Sequence, residues 1–197
     1  MSGDRWSELI ELLDKKNIVF LDGLTDAEIE TIESKYGFRF PPDLRDFLQT
    51  ALPTGSSFLD WRSATDSDIR KRLTWPLDGI LFDVENNVFW LPEWGVKPET
   101  ADQRRLIVEQ AVDRAPRLIP IYSHRYMPDR PHESGNPVFS VYQTDIIYYG
   151  FDLDDYLRHE FDLPGRKPWP EKVREIEFWD VDRWYSIALL WSENRRG

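Results

Sequence analysis

Apolar positions along this chain change period from segment to segment, and the period predicts the elements. Residues 5–16 place Trp6, Leu9, Ile10 and Leu13 at i, i+3, i+4 and i+7, the spacing of an amphipathic helix. A second helix is announced by Thr25 and Glu28, three residues apart as in a capping box, with Leu24 and Ile29 at the positions of a hydrophobic staple. Ile29, Ile32 and Tyr36 form its face, and Gly37 is placed to end it. Pro41-Pro42 opens a third helix, because a first turn needs no donor from proline; its face is Leu44, Phe47, Leu48 and Ala51.

From Leu52 to Gly79 the pattern fades into a long connection, with a helical turn or two over 66–73. Strand chemistry is read at 80–84 and again at 88–90, with Asn86-Asn87 as a tight hairpin turn between them. Thr100 and Gln103 form another capping box, and Val108, Ala111, Val112 and Ala115 share a face that ends at Pro116. Leu118–Tyr122 reads as a strand, and Pro120 assigns it to an edge or a bulge because proline gives no ladder donor. Val138–Tyr142 and Ile146–Tyr149 flank Gln143-Thr144-Asp145 as a hairpin. Asp152 caps a short helix carrying Leu153, Tyr156, Leu157 and Phe161. After the proline-rich link 164–170, Asp180 caps a last helix with Val181, Trp184, Ala188 and Trp191. Strands and helices do not alternate regularly, so parallel βαβ units are excluded. The expected fold is α+β, an antiparallel sheet with helices packed mainly on one side.

Composition narrows the class. Of 197 residues, nine are Trp, eleven Phe and eight Tyr, which supplies more large apolar surface than a disordered chain carries. No apolar run approaches the roughly 20 residues that span a bilayer, and the N-terminus lacks the basic start and apolar stretch of a secretion signal. There is no cysteine, which removes disulfides, thiolate metal sites and cysteine nucleophiles and fits a cytoplasmic location. The net charge of −11 argues against direct nucleic-acid binding, which depends on basic phosphate contacts.

One stretch carries a resemblance. Leu24-Thr25-x-x-Glu28-Ile29-x-x-Ile32-Glu33-x-x-Tyr36-Gly37 leads into Phe40-Pro41-x-Asp43-Leu44-Arg45-x-Phe47-Leu48. This resembles the opening of the SMI1/KNR4 family, also called the SUKH superfamily. Leu81–Trp90, Pro137–Val141 and Gly150-x-Asp152-Leu153-x-x-Tyr156-Leu157 are similar to later elements of bacterial members. The resemblance covers 24–61 best and 80–160 more loosely. It describes 1–197 as one domain, with a helical extension over 1–23 and another over 163–197. Ala51-Leu52-Pro53-Thr54-Gly55 stands where many members have an Asn-Gly turn. The family implies protein binding rather than catalysis. Its bacterial members resemble immunity proteins that neutralise delivered toxins, many of them nucleases, and its fungal members are scaffold-like regulators. It brings no catalytic residue, cofactor or metal.

Read for chemistry, the densest polar segment is Ser123–Glu133, which holds His124, Arg125, Tyr126, His132 and Glu133. As an active site it would use His124 as a general base, since histidine titrates near neutrality. A loop whose charges pair among themselves accounts for the same residues. A metal set of His124, His132 and Glu133 matches no ligand spacing, and His159-Glu160 lacks the second histidine of a zinc-protease helix. No phosphate-cradling glycine loop and no G-x-S-x-G elbow occurs.

Trp61, Trp75, Trp90, Trp94 and Trp169 fall in or beside predicted strands and loops, and Trp90 with Trp94 is the expected partly exposed pair. Asp152, Asp154, Asp155, Glu160 and Asp162 form an acidic run suited to a basic partner, diluted by Arg158, Arg166 and Lys167. The leading expectation is a non-enzymatic immunity-type module that occludes a toxin through Trp90, Glu93, Trp94, His124, Arg125, Tyr126, Asp152, Asp154 and Asp155. The alternative is a hydrolase or small-ligand protein centred on His124, Arg125 and Tyr126.

Overall fold

In the computed structural model, which describes residues 3–55, 57–181 and 184, the N-terminal helices form where the pattern places them. Helix α1 (Gly3–Asp14) buries Trp6, Leu9 and Leu13 completely, with Trp6 edge-on to Phe47 at 5.5 Å between ring centroids. Helix α2 (Asp26–Tyr36) has both halves of its capping box: the Glu28 N–H donates to Thr25 Oγ1 at 3.2 Å, and the Thr25 N–H donates to the Glu28 carboxylate at 2.8 Å. Gly37 ends it with φ of 70°, a left-handed conformation that costs glycine little. Helix α3 (Pro42–Thr50) buries Leu44, Phe47 and Leu48.

Two short strands were not foreseen. β1 (Val19–Asp22) pairs antiparallel with β2 (Ala51–Thr54), from Val19 opposite Thr54 to Asp22 opposite Ala51. The segment that departs from the family's Asn-Gly turn is therefore a strand here.

The largest correction concerns 66–90. In place of a long connection and a hairpin there is one helix, α4 (Asp66–Asn86), opened by Thr65 accepting from the Asp68 N–H. Of its six buried positions, Ile69, Pro76, Ile80 and Val84 are spaced by seven, four and four, which is a helical period. Pro76 hides that period, because proline ordinarily ends a helix. Ile80–Val84, apolar on both sides of its sequence, looks like a strand only when the preceding turns are left out. The asparagine pair ends the helix rather than turning a hairpin. The Asn87 and Phe89 N–H groups close onto the Asp83 carbonyl, and Val88 takes the left-handed conformation with φ of 62°. Residues 88–90 are not a strand, and a 3-10 turn follows at Pro92–Trp94.

Helix α5 (Ala101–Arg114), capped by Thr100, ends with Ala115 as its C-cap just before Pro116, as expected. The main sheet is an antiparallel meander of β3 (Leu118–Tyr122), β4 (Arg125–Pro128), β5 (Val138–Tyr142) and β6 (Asp145–Gly150), in that order. β3 is an edge strand and its register shifts between Pro120 and Tyr122, so Pro120 occupies the kind of position its chemistry requires. Residues 125–128, expected to be loop, are a strand. Helix α6 (Leu153–Glu160) follows, capped by Asp152.

Alternate residues of the sheet face different cores. Ile119, Met127 and Val138 join α1, α2, α3 and α6 on one side. Leu118, Tyr126, Phe139, Val141 and Ile146 join the C-terminal half of α4, α5, Ile176, Trp179 and Trp184 on the other. The fold is α+β with an antiparallel sheet, as the pattern indicates. Four helices lie on one face, and α4 crosses over to give the second face its cover. Residues 164–180 carry no helix or strand, and the Trp184 N–H donates to the Asp180 carbonyl. The rest of the expected last helix, with Ala188 and Trp191, lies outside the described residues. None of the described helices is long and apolar enough to cross a membrane.

Candidate functional site

The turn from β3 to β4 has only two residues, Ser123 and His124, because Tyr122 pairs directly with Arg125. Ser123 adopts φ of 47° and donates its N–H to the Ser57 carbonyl at 2.7 Å, while the His124 carbonyl accepts from the Val141 N–H at 2.9 Å. These bonds pin the turn against its neighbours. Ser123 Oγ lies 3.1 Å from His124 Nδ1. The strand alternation then separates the three residues expected to converge. Tyr126 points to the α4 side, where its hydroxyl donates to the Arg72 carbonyl at 2.9 Å. Arg125 points to the α6 side, with Nε 3.0 Å from the Glu160 carboxylate, a terminal nitrogen donating to Ser140 Oγ, and its guanidinium 3.7 Å from the Tyr149 ring centroid. A single centre built on His124, Arg125 and Tyr126 does not exist.

What forms instead is a cavity of about 270 Å³ lined by Arg72, Trp75, Ser123, His124, Tyr126 and Tyr142. Two of its walls, Arg72 and Trp75, come from α4, of which the sequence pattern indicates only a turn or two over 66–73. The Trp75 indole donates to the Val141 carbonyl at 3.3 Å, and the His124 ring meets Tyr142 edge-on. Burial pushes the His124 pKa down, and the charges of Arg125 and Arg72 add to the effect against an opposing pull from Glu160. At neutral pH the ring is therefore neutral and offers one donor and one acceptor. The Tyr126 hydroxyl is held protonated well above its ordinary range, chiefly by burial. Arg72 has no carboxylate within ion-pair distance among the described residues; its Nε is buried without a hydrogen-bond partner, and one terminal nitrogen reaches the Ser57 carbonyl at 3.4 Å.

The α4–β5 junction that builds this cavity is fixed by two further contacts. A Cβ on Gly79 would stand 2.8 Å from the Gln143 Cα, so glycine alone allows the β5–β6 turn to lie against the helix. Buried Asp83 accepts from the Thr144 N–H at 2.9 Å and its hydroxyl at 2.6 Å.

Other expected site residues are largely structural. Trp90 is only 6% exposed, and its indole donates to the Gly95 carbonyl at 2.8 Å, so the expected exposed pair reduces to a half-buried Trp94 packed edge-on against Trp90 beside an exposed Glu93. Trp61 is buried with Phe38 and Phe40, and Trp169 is exposed. In the acidic run, Asp152 is spent on capping α6 and Asp154 pairs with Arg158 at 3.0 Å. Asp155 is 1% exposed and pairs with Arg166 at 2.8 Å. Glu160 is the partner of Arg125, leaving Asp162 as the exposed member of the run, 4.0 Å from Lys16. His132 lines a separate groove with Asp129 and Arg130, and His159 is stacked on Tyr149 with Nδ1 3.1 Å from its carbonyl. No group of three potential metal ligands occurs among the described residues.

The exposed aromatic surface lies elsewhere. Trp75, Asp78 and Phe82 stand at i, i+3 and i+7 on α4, one stripe of the helix, and Trp75 and Phe82 are 39% and 48% exposed. Tyr142, 57% exposed, extends the stripe across the cavity mouth. Phe82 sits in a shallow groove with Asp78, Glu85, Asp102 and Arg105. Glu85 and Arg105 are paired with Arg104 and Glu109, whereas exposed Asp78, Asp102 and Asp145 have no cation within ion-pair distance among the described residues. A sequence signal for this surface existed in the period running through Ile69, Ile80 and Val84, which places Trp75 and Phe82 on the opposite side.

No curated protein and no solved structure matches the chain significantly. A family model does, over residues 23–159, which takes in α2 through most of α6 together with the cavity and the aromatic stripe. By that match the chain belongs to the SMI1 / KNR4 family (SUKH-1).

Proposed function

We propose that this protein is a non-catalytic binding module of the immunity type, acting in the cytoplasm to neutralise a toxin by covering its working surface. The family is generally non-catalytic and includes immunity proteins. The observation that carries the reading is the exposed stripe of Trp75, Phe82 and Tyr142, bordered by the uncompensated carboxylates of Asp78, Asp102 and Asp145. Aromatic anchors set among acids suit a basic protein surface: the rings supply contact area and the charges accelerate encounter and fix register. An overall charge of −11 has the sign that steers such a partner in. The proposed contact face is α4 with the β5–β6 turn rather than the Trp90 and Asp152–Asp155 segments, where most side chains are engaged internally. The proposed unit extends beyond the matched segment, because α1 adds to one core and Ile176, Trp179 and Trp184 add to the other.

The test is co-expression with the product of the adjacent gene, followed by affinity capture and a growth assay. The expected result is a stable complex and protection of cells, both lost in a Phe82→Arg, Asp78→Lys double variant that remains folded. Absence of both complex and protection with the unmodified chain overturns the proposal.

A further inference from the structure

We propose that the cavity between α4 and the β3–β4 turn is a binding site for a small aromatic anion, a single ring bearing a carboxylate or phosphate group, with Arg72 as its charge partner. In a chain with 36 acidic residues against 25 basic ones, a half-buried guanidinium without a carboxylate partner among the described residues is the unusual feature. Arg72 is that group: its Nε is buried without a hydrogen bond, one terminal nitrogen makes a long contact of 3.4 Å to the Ser57 carbonyl, and the other group its side chain acts on is the neutral Tyr126 hydroxyl. A partly desolvated cation without a counter-ion is costly, and an anion at the terminal nitrogens offsets that cost. Guanidinium matches planar carboxylate and phosphate oxygens through paired N–H donors, so the ligand's charged end follows from the residue type.

The rest of the ligand follows from the walls. Trp75 and Tyr142 present ring surface at the mouth, and Tyr126 lines the interior. Ser123 Oγ and the second nitrogen of the neutral His124 ring supply short-range polar contacts without adding a competing charge. A volume of about 270 Å³ falls just under the ~300–1,000 Å³ of typical ligand pockets, which limits the occupant to about one substituted ring and excludes a nucleotide. The cavity shares Trp75 and Tyr142 with the proposed partner face, whereas Arg72 lies off that stripe and Phe82 and Asp78 lie outside the cavity walls, so substitutions at these positions tell the two apart.

The full chain is titrated with benzoate, phenyl phosphate and the neutral analogue benzamide, with the His124 and Tyr142 ring resonances followed by NMR. At least one anion is expected to bind with a Kd on the order of 1 mM, as suits a fragment of this size. Benzoate alone identifies a carboxylate ligand and phenyl phosphate alone a phosphate ligand, while benzamide leaves the resonances in place. Arg72→Gln weakens anion binding by about tenfold or more. The exposed Tyr142→Ala weakens it severalfold without threatening the fold, whereas Arg70→Gln does not change it. No response to either anion, equal binding of benzamide, or full affinity in both Arg72→Gln and Tyr142→Ala overturns the proposal.

Discussion

The proline inside α4 makes a prediction that can be worked through quantitatively. In an unbroken helix the N–H of residue 76 would donate to the carbonyl of Arg72, but proline has no N–H and leaves that carbonyl unpaired. The Tyr126 hydroxyl of β4 fills the vacancy at 2.9 Å, turning a helix defect into a bond between helix and sheet. Tyr126 is buried at 1% exposure, so water does not take its place. Tyr126→Phe removes one oxygen, keeps the ring, and strands the Arg72 carbonyl.

The expected cost is about 1–3 kcal/mol, that of leaving a buried acceptor unsatisfied. With an m-value of about 2–3 kcal/mol per molar urea for a chain of this size, the unfolding midpoint falls by roughly 0.3–1.5 M, readable from tryptophan fluorescence. The decisive measurement is the same substitution in a Pro76→Ala background. Alanine at that position restores the N–H, the Arg72 carbonyl regains its helical partner, and Tyr126→Phe then costs less than about 0.5 kcal/mol. Equal costs in the two backgrounds would refute the link between Pro76 and Tyr126, whatever the absolute stability of either.

Four further outcomes are expected. Gly79→Ala, which usually stabilises a helix by up to about 1 kcal/mol, destabilises this one by about 1–3 kcal/mol in urea melts, because the new methyl meets the Gln143 backbone at 2.8 Å. Asp83→Ala releases the β5–β6 turn, costs about 2–3 kcal/mol, and accelerates amide exchange at Thr144 first. Glu160→Ala leaves Arg125 charged and unpaired in a mostly buried site and costs about 3–5 kcal/mol by denaturant midpoint, more than removing any exposed ion pair. The hydrogen bonds of Arg62, with those of Thr25, hold the Glu28 carboxyl down to about 2 from 4.5. A lowered folded pKa gives stability that is complete above the unfolded value and lost as pH falls through the folded one, so the stability gap between the wild type and Glu28→Gln is constant above about pH 5 and closes toward pH 2. A gap that persists unchanged at pH 2 would show that Glu28 acts through something other than its charge.

How far the sequence reaches is visible in which bonds are local. Thr25 with Glu28, Thr100 with Gln103 and Asp152 with Asp155 are contacts three residues apart, and each marks a helix start that the structure contains. Pro120 likewise announces its edge position from its own covalent chemistry. The elements that stayed hidden depend on distant partners. β1 and β2 are four residues each and exist because they pair with one another across some thirty residues. β4 has a histidine and two arginines around it, and only its neighbours β3 and β5 make it a strand.

Helix α4 is the consequential case, because its continuity depends on a tyrosine fifty-four residues from the carbonyl it satisfies. Local rules break the helix at Pro76, and with it the alignment of Arg72, Trp75 and Phe82. The same misreading sent the candidate chemistry to Arg125, the arginine adjacent in sequence, when the strand's alternation turns that side chain to the other face. His124 and Tyr126, which line the cavity, were legible as candidates because their own turn and strand place them. Their cationic neighbour was not, since it arrives from α4. A candidate site assembled across a proline-bearing helix and a strand turn is thus readable from one side only, and Arg72, the cation on its hidden side, is the residue whose substitution separates the proposed anion site from the proposed partner face.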